Sequence, residues 1–399
     1  MKKIIALLLA SVMLFASACS NKAAQQANEP TGTPSSTVKA TDAPTAAPTK
    51  APEPTAEPTP EPTDVPLPET RTFTDSVGRE VEIPYTLEKV AVSGPLAQIV
   101  LFALCPDKLA GIAGEWDKTA EKYLATEYYN LPVLGQLYGG KGELNLETLL
   151  NSGAQVVIDV GEPKKTIAED LDGLQAQTGI PFVHVTATIS TMGDAYRKLG
   201  ELLGMQDEAE ALAVYCENVY SRTLEIADSA EKRNLLYIAG DQGLNVIANG
   251  SYHAEVIDLL SNNLAVVDSP SSKGTGNEVD MEQILLWNPD VILFAPGSIY
   301  SSVKDMPEWQ AVKAVQTGEY YEVPFGPYNW MGFPPSAQRL LGMMWMSKLL
   351  YPEKADYDLY DEVREYYRLF YHADLTKEQY EELIGNSILA RPDAAAPAA

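Results

Sequence analysis

Four aromatic side chains, Phe325, Tyr328, Trp330 and Phe333, fall within the eleven residues from Phe325 to Pro335. Aromatic faces suit the flat, apolar parts of an organic ligand. Pro335 can open a helix, with Ser336 in its first turn and Arg339 close by. A helix start with a nearby guanidinium suits an anion such as a chelator's carboxylates. Trp116 and Tyr300 each follow a stretch read as a strand, and Tyr138 stands beside Gly139 and Gly140; loops after strands line a cleft. Trp116, Tyr138, Tyr300, Tyr328, Asn329, Trp330 and Arg339 are therefore the candidate ligand-binding residues. The competing reading is that the aromatics pack their own loops.

Other chemistries have less to work with. The chain holds three histidines, His184, His253 and His372. His184 lies in a strand pattern and reads as core, His372 lies near the C-terminus, and His253 follows Tyr252 near a helix start. Binding of bare zinc or manganese usually draws several histidines into one cleft, so no metal ligands are assigned and no cofactor is expected. A metal whose chelator supplies the ligands fits better, and a free oxyanion stays open. The sequence has no Gly-x-Ser-x-Gly, no phosphate loop and no His-Glu-x-x-His, so it is not read as an enzyme. Cys105 and Cys216 sit in apolar or helical patterns and read as buried thiols rather than a disulfide.

At the N-terminus, Lys2 and Lys3 precede an apolar stretch from Ile4 to Phe15 and the small residues Ala16, Ser17 and Ala18, then Cys19. This pattern of charge, short apolar run and small residues marks a cleaved signal. With Cys19 at the junction it resembles a bacterial lipobox, with Ala at position 16 where Leu is usual. Lipid on Cys19 would hold the chain to the outer face of the cytoplasmic membrane, each buried methylene contributing about 0.8 kcal/mol. An ordinary secretory signal with a chance Cys is the alternative. Eleven of the 28 prolines lie between residues 20 and 68. Such a Pro, Thr, Ala and Glu tract favours extended conformations and reads as a tether.

About 330 residues follow, enough for two lobes with their own cores. A formal net charge of −26 argues against nucleic acid, which needs basic surface. Residues 71–84 alternate apolar and polar on either side of Gly78 and predict a β-hairpin. Short apolar strands are expected at 89–92, 109–112, 156–160 and 182–185, and again at 235–239, 291–294 and 320–323. Helical patterns separate them, which argues for parallel sheets covered by helices. Between the two sets run helices over 191–203 and 207–230. In the second, Ala209, Leu212, Ala213, Cys216, Val219 and Leu224 recur at helical spacing, with Asp207 as N-cap. The last long helix of this set is expected from Pro335 to Leu350. A weak repeat links the halves: residues 145–158 align with residues 280–293 at a constant offset of 135, matching Glu147 to Glu282.

The hairpin with Asp75, Gly78, Arg79 and Pro84, the Asn145–Glu147 unit, and the Asp280–Glu282 unit running on to Trp287, Pro289 and Asp290 together resemble one family. It is the substrate-binding lipoproteins of ABC importers for iron-siderophore, haem and cobalamin. The resemblance covers about residues 70 to 350. It implies an α/β fold of two lobes with mostly parallel sheets, joined by a single long helix, with the ligand in the cleft between them. A connecting helix resists bending, so opening and closing would be small. The expected organisation is a signal peptide over 1–18, a tether over 19–68, an N-terminal lobe over 69–205, a connecting helix over 206–231, a C-terminal lobe over 232–390 and a tail over 391–399. The resemblance also implies partners: the importer's permease and ATPase, with Glu147 and Glu282 docking to Arg pockets on the permease. The ligand would be a metal chelate, and the protein a monomer. A metal-ion or oxyanion binder of such an importer, or a ligand-sensing surface lipoprotein without transport, are the alternatives.

Overall fold

The computed structural model describes residues 68–138 and 143–391. Cys19, the signal peptide, the tether and residues 392–399 lie outside the described residues. The described residues all fall in one compact unit.

The hairpin pairs Thr70–Thr74 with Glu80–Pro84 in antiparallel register, Phe73 opposite Val81. Its turn is fixed by Asp75, whose Oδ1 accepts the backbone N–H groups of Val77 and Arg79 at 3.0 and 2.9 Å. Gly78 takes the left-handed conformation, φ 81°, that a side chain would strain. Phe73, Val81 and Ile83 point to one face and are buried, as period-two alternation requires.

Two sheets follow. Val90–Val92, Val156–Gly161 and Phe182–Thr186 lie side by side in that order, all parallel. The stretch expected as a strand at 109–112 reduces to single bridges, Leu109 to Val90 and Ile112 to Val133. The second sheet orders Tyr320–Glu322, Val291–Phe294, Asn234–Ala239, Asn245–Val246 and Asn277–Glu278, with Asn262–Asn263 also paired to Asn234–Ala239. Its long strands run parallel and the short Asn245–Val246 strand antiparallel. The buried strands are mostly apolar, as sheets covered on both faces demand, with Asp159 and His184 as the polar exceptions in the first sheet.

The helix Gln206–Ser229 joins the two sheets in sequence. Its 24 residues span about 36 Å at the α-helical rise. Its N-cap is Met205 rather than Asp207, which sits in the first turn, where a carboxylate favours the dipole. The buried stripe ends on Thr223, Ile226 and Ala227 rather than Leu224. The hydroxyl of Thr223 is satisfied by the Val219 carbonyl at 2.7 Å, so a polar residue fits the stripe. The preceding helix, Met192–Leu203, lies close because Gly200 faces Ala209: a Cβ there would stand 2.6 Å from the Ala209 Cβ.

The repeat survives in three dimensions. Leu146–Asn151 and Met281–Trp287 are both short helices. Their N-caps, Asn145 and Asp280, accept the N–H groups of Thr148 and Gln283 at 2.9 and 2.8 Å. Leu149 and Ile284 are fully buried, and each helix leads to a parallel strand. Two further helices, Leu359–Phe370 and Lys377–Ile384, close the chain. This part of the chain reaches the first half: His372, between the two helices, has its Nε2 3.0 Å from the Phe102 carbonyl, and Glu382 of the second helix pairs with Lys122. Cys105 and Cys216 are buried free thiols, and burial raises both above the ordinary thiol range.

Candidate functional site

The two halves meet along a seam built from the ends of their strands. After Val90–Val92 the chain turns through Ser93 and Gly94 into the helix Pro95–Leu104, with Pro95 at its first position, where a missing N–H costs nothing. Gln98 on this helix is buried and bonded on both sides. Its Oε1 accepts the Ala113 N–H at 2.8 Å and its Nε2 donates to the Tyr328 hydroxyl at 2.9 Å. Ser336 donates to the Leu96 carbonyl at 3.2 Å. Trp116 gives its indole N–H to the Tyr128 carbonyl at 3.1 Å and its ring lies 5.6 Å from that of Tyr328.

The aromatic loop is mostly interior. Asn329 donates to the Tyr237 hydroxyl at 3.1 Å and accepts the Met331 N–H at 2.7 Å. Trp330 is 0% exposed and its indole N–H points to the Gly326 carbonyl at 3.4 Å. The helix expected to open at Pro335 begins at Arg339, and residues 336–338 form turns ahead of it. Arg339 is itself 0% exposed. Its guanidinium pairs with Glu255 and reaches the Tyr252 carbonyl at 3.4 Å, while its Nε donates to the Ser336 carbonyl at 3.3 Å. The anion-receiving helix start expected from the sequence is thus an internal ion pair. Tyr138 and Tyr300 stand apart from this group. Tyr138 donates to Asp170 at 2.6 Å under the Lys164 ammonium, and Tyr300 packs on Phe294 and Tyr320.

A cavity of about 540 Å³ opens on the seam. The first half contributes Glu162, Ile189 and Ser190, the long helix contributes Tyr220, and the second half contributes the stretch from Gly250 to Leu259, with Ser251, Tyr252, Glu255 and Asp258. Burial raises the Glu255 carboxyl above its ordinary range, with Arg339 opposing the shift. Burial raises the Tyr252 hydroxyl too, so it stays protonated and able to donate. His253 lies just behind, stacked on Phe333 at 5.2 Å, its Nδ1 3.0 Å from the Gly332 carbonyl. Burial lowers its pKa, so the neutral ring is favoured. A smaller cavity of about 160 Å³ is lined by Lys122, Tyr123, Phe325 and Glu382.

Sequence reasoning did not single out Glu162, Ser190, Tyr220 or Glu255. Glu162 follows the strand Val156–Gly161 directly, so its position at a strand's C-terminal end was a legible signal. It also passed over a buried chain in the first half. Ser93 donates to Asp159, and Asp159 Oδ2 lies 2.7 Å from His184 Nδ1. The carboxylate stands in the middle, so the imidazole cannot take the serine's proton. The group ties three strands together and lacks the Ser–His contact of a hydrolase. Among the described residues, no group of three or more His, Cys, Asp or Glu is arranged to hold a metal ion.

Known proteins resemble this chain over most of its length. The molybdate-binding protein MolA of Haemophilus influenzae is 26% identical over 335 residues, 75% of this chain and 91% of that protein. An ABC transporter solute binding protein from Sulfurospirillum deleyianum superposes with a TM-score of 0.72 at 28% identity, covering 79% of this chain and 99% of that one. A periplasmic solute binding protein from Veillonella parvula gives a TM-score of 0.66 at 25% identity, covering 79% and 98%. The family described as periplasmic binding protein matches residues 100–326, more than half of the 399 residues, and this chain belongs to that family.

Proposed function

We propose that this protein is the solute-capturing component of an ABC importer and that it takes a metal chelate, of the iron-siderophore, haem or cobalamin kind, into the seam cavity. The observation that carries the reading is the size and lining of that cavity. Its volume of about 540 Å³ falls within the range of about 300–1,000 Å³ typical of small-molecule sites. A bare ion or a tetrahedral oxyanion would fill a small part of it. Tyrosine rings and hydroxyls line it beside apolar Ile189 and Leu259, a mixture that suits an organic shell. An oxyanion is the second reading, favoured by the likeness to a molybdate-binding protein across 91% of that protein's length. Thermal melting with ferric siderophores, haem, cobalamin, molybdate and free metal salts separates them, because a ligand that binds the folded state raises its melting point. A rise with a chelate supports the first reading. A rise with molybdate alone supports the second, and a rise with Zn²⁺ or Mn²⁺ alone removes both.

Two further parts of the proposal concern partners. Cys19 carries the lipid anchor, so Cys19→Ser should move the protein from the detergent phase to the aqueous phase. Wild type already in the aqueous phase would remove the anchor. Glu147 and Glu282 dock to the permease, and the matched helices support this. Both carboxylates are exposed. Each is followed three residues later by an exposed leucine, Leu150 at 52% and Leu285 at 38%. A charge with an apolar neighbour, repeated once in each half, is a surface suited to a partner that is itself doubled.

A further inference from the structure

We propose that the solute held in the seam cavity presents a positively charged or strongly hydrogen-bond-donating face, which bridges Glu162 of the first half and Glu255 of the second. This rests on the solute-capture reading and adds the charge class of the solute. Three carboxylates line the cavity, Glu162, Glu255 and Asp258, and no Lys or Arg side chain lines it. Arg339 lies behind the wall, fully buried, with its charge balanced by Glu255. Asp258 is occupied from its own side: it accepts the Gly250 N–H and the Asn263 amide, each at 2.8 Å. Glu162 is exposed and makes no hydrogen bond or ion pair among the described residues.

The two glutamates line the same cavity from opposite halves; burial raises the Glu255 carboxyl, Arg339 opposes the rise, and the Glu162 charge adds a smaller increment. Like charges so placed repel while nothing lies between them. A cation or a set of N–H donors removes that repulsion and gains from both carboxylates at once. An oxyanion would add to it.

A second observation points to a ligand independently. Ser251 lines the same cavity, is only 8% exposed, and its hydroxyl has no hydrogen-bond partner among the described residues. A buried hydroxyl left without a partner is costly, and a bound donor or acceptor completes it. With the Tyr252 hydroxyl beside it, Ser251 supplies neutral polar contacts around the charged pair. Arg339 holds Oε2 of Glu255, so Glu162 and the second oxygen of Glu255 are what a ligand can use, fewer than a bare ion would gather, and the charge arrives on an organic or complexed group.

Isothermal titration of the full mature chain with four probes tests this: ferrioxamine B and hexaamminecobalt(III), both cationic complexes, against ferric citrate and molybdate, both anions. The expected result is that a cationic complex binds most tightly. Glu162→Gln, at an exposed position that leaves folding intact, should weaken it about tenfold to a hundredfold. Glu162→Lys should abolish it, with the melting temperature of the ligand-free variants checking the fold. Tightest binding of molybdate or ferric citrate overturns the charge assignment and leaves solute capture standing. Unchanged affinity in Glu162→Gln does the same. Binding of none of the four to folded protein overturns the charge assignment, and the melting screen with haem and cobalamin then decides solute capture on its own.

Discussion

Trp330→Ala is expected to destabilise the protein by about 3–5 kcal/mol, the range for removing a large aromatic side chain from a packed core. Trp330 is fully buried and belongs to the same core cluster as Met331, Leu340 and Leu341. The surrounding backbone has little room to collapse into the space. A Cβ at Gly342 would already stand 2.4 Å from the Trp330 carbonyl oxygen. The Gly326 carbonyl that receives the indole N–H is also bonded by the Tyr367 hydroxyl, and Tyr367 is held edge-on by Tyr123 at 5.2 Å. The loop is thus pinned from three directions, and its cavity would persist. Urea denaturation reads the loss directly. A cost below about 1 kcal/mol, far under the core range, together with weakened binding of ferrioxamine B, would return the indole to the ligand wall.

Uptake should stop in the Glu147→Ala, Glu282→Ala double variant while ligand binding and folding stay close to wild type. Each carboxylate sits in the first turn of a short helix whose N-cap is another residue. Removing it therefore forfeits only the helix-dipole contribution, about 0.3–1 kcal/mol. Neither side chain lines the seam cavity. A transport assay with labelled chelate in cells, beside titration of the purified variant, separates the two effects. Single variants should be impaired in part, since each half keeps one contact when the other is lost. Full transport by the double variant would remove the docking assignment, and lost ligand binding would show that the helices act on the cavity instead.

The elements were legible because their signals are local. Period-two alternation around Gly78 gave the hairpin, and the stripe from Ala209 to Val219 gave the long helix. The 135-residue offset gave the paired helices, whose N-caps and buried positions match in the structure. Where a boundary moved, a local competitor explains it. The helix expected at Pro335 begins at Arg339 because residues 336–338 are held in turns, Arg339 N–H to the Ser336 carbonyl at 3.1 Å and Leu340 N–H to the Ala337 carbonyl at 3.0 Å. The strand expected at 109–112 bends at Ala110 and keeps only single bridges at Leu109 and Ile112.

By itself the sequence determined the class of the molecule: a mixed α/β chain with strand-and-helix halves on either side of a long helix, and an acidic composition. Hydrophobic period and composition carry that information within a few residues of each position. What only the tertiary structure decided is which side chains meet. Gln98 finds Tyr328 across 230 residues, and Arg339 finds Glu255 across 84. No local pattern encodes either contact, because each depends on how the halves come to rest on one another. The same packing turned Trp330 and Arg339 inward and brought Glu162 opposite Glu255. Burial then set the charge of the cavity, because a guanidinium taken out of water keeps its charge only with a carboxylate beside it.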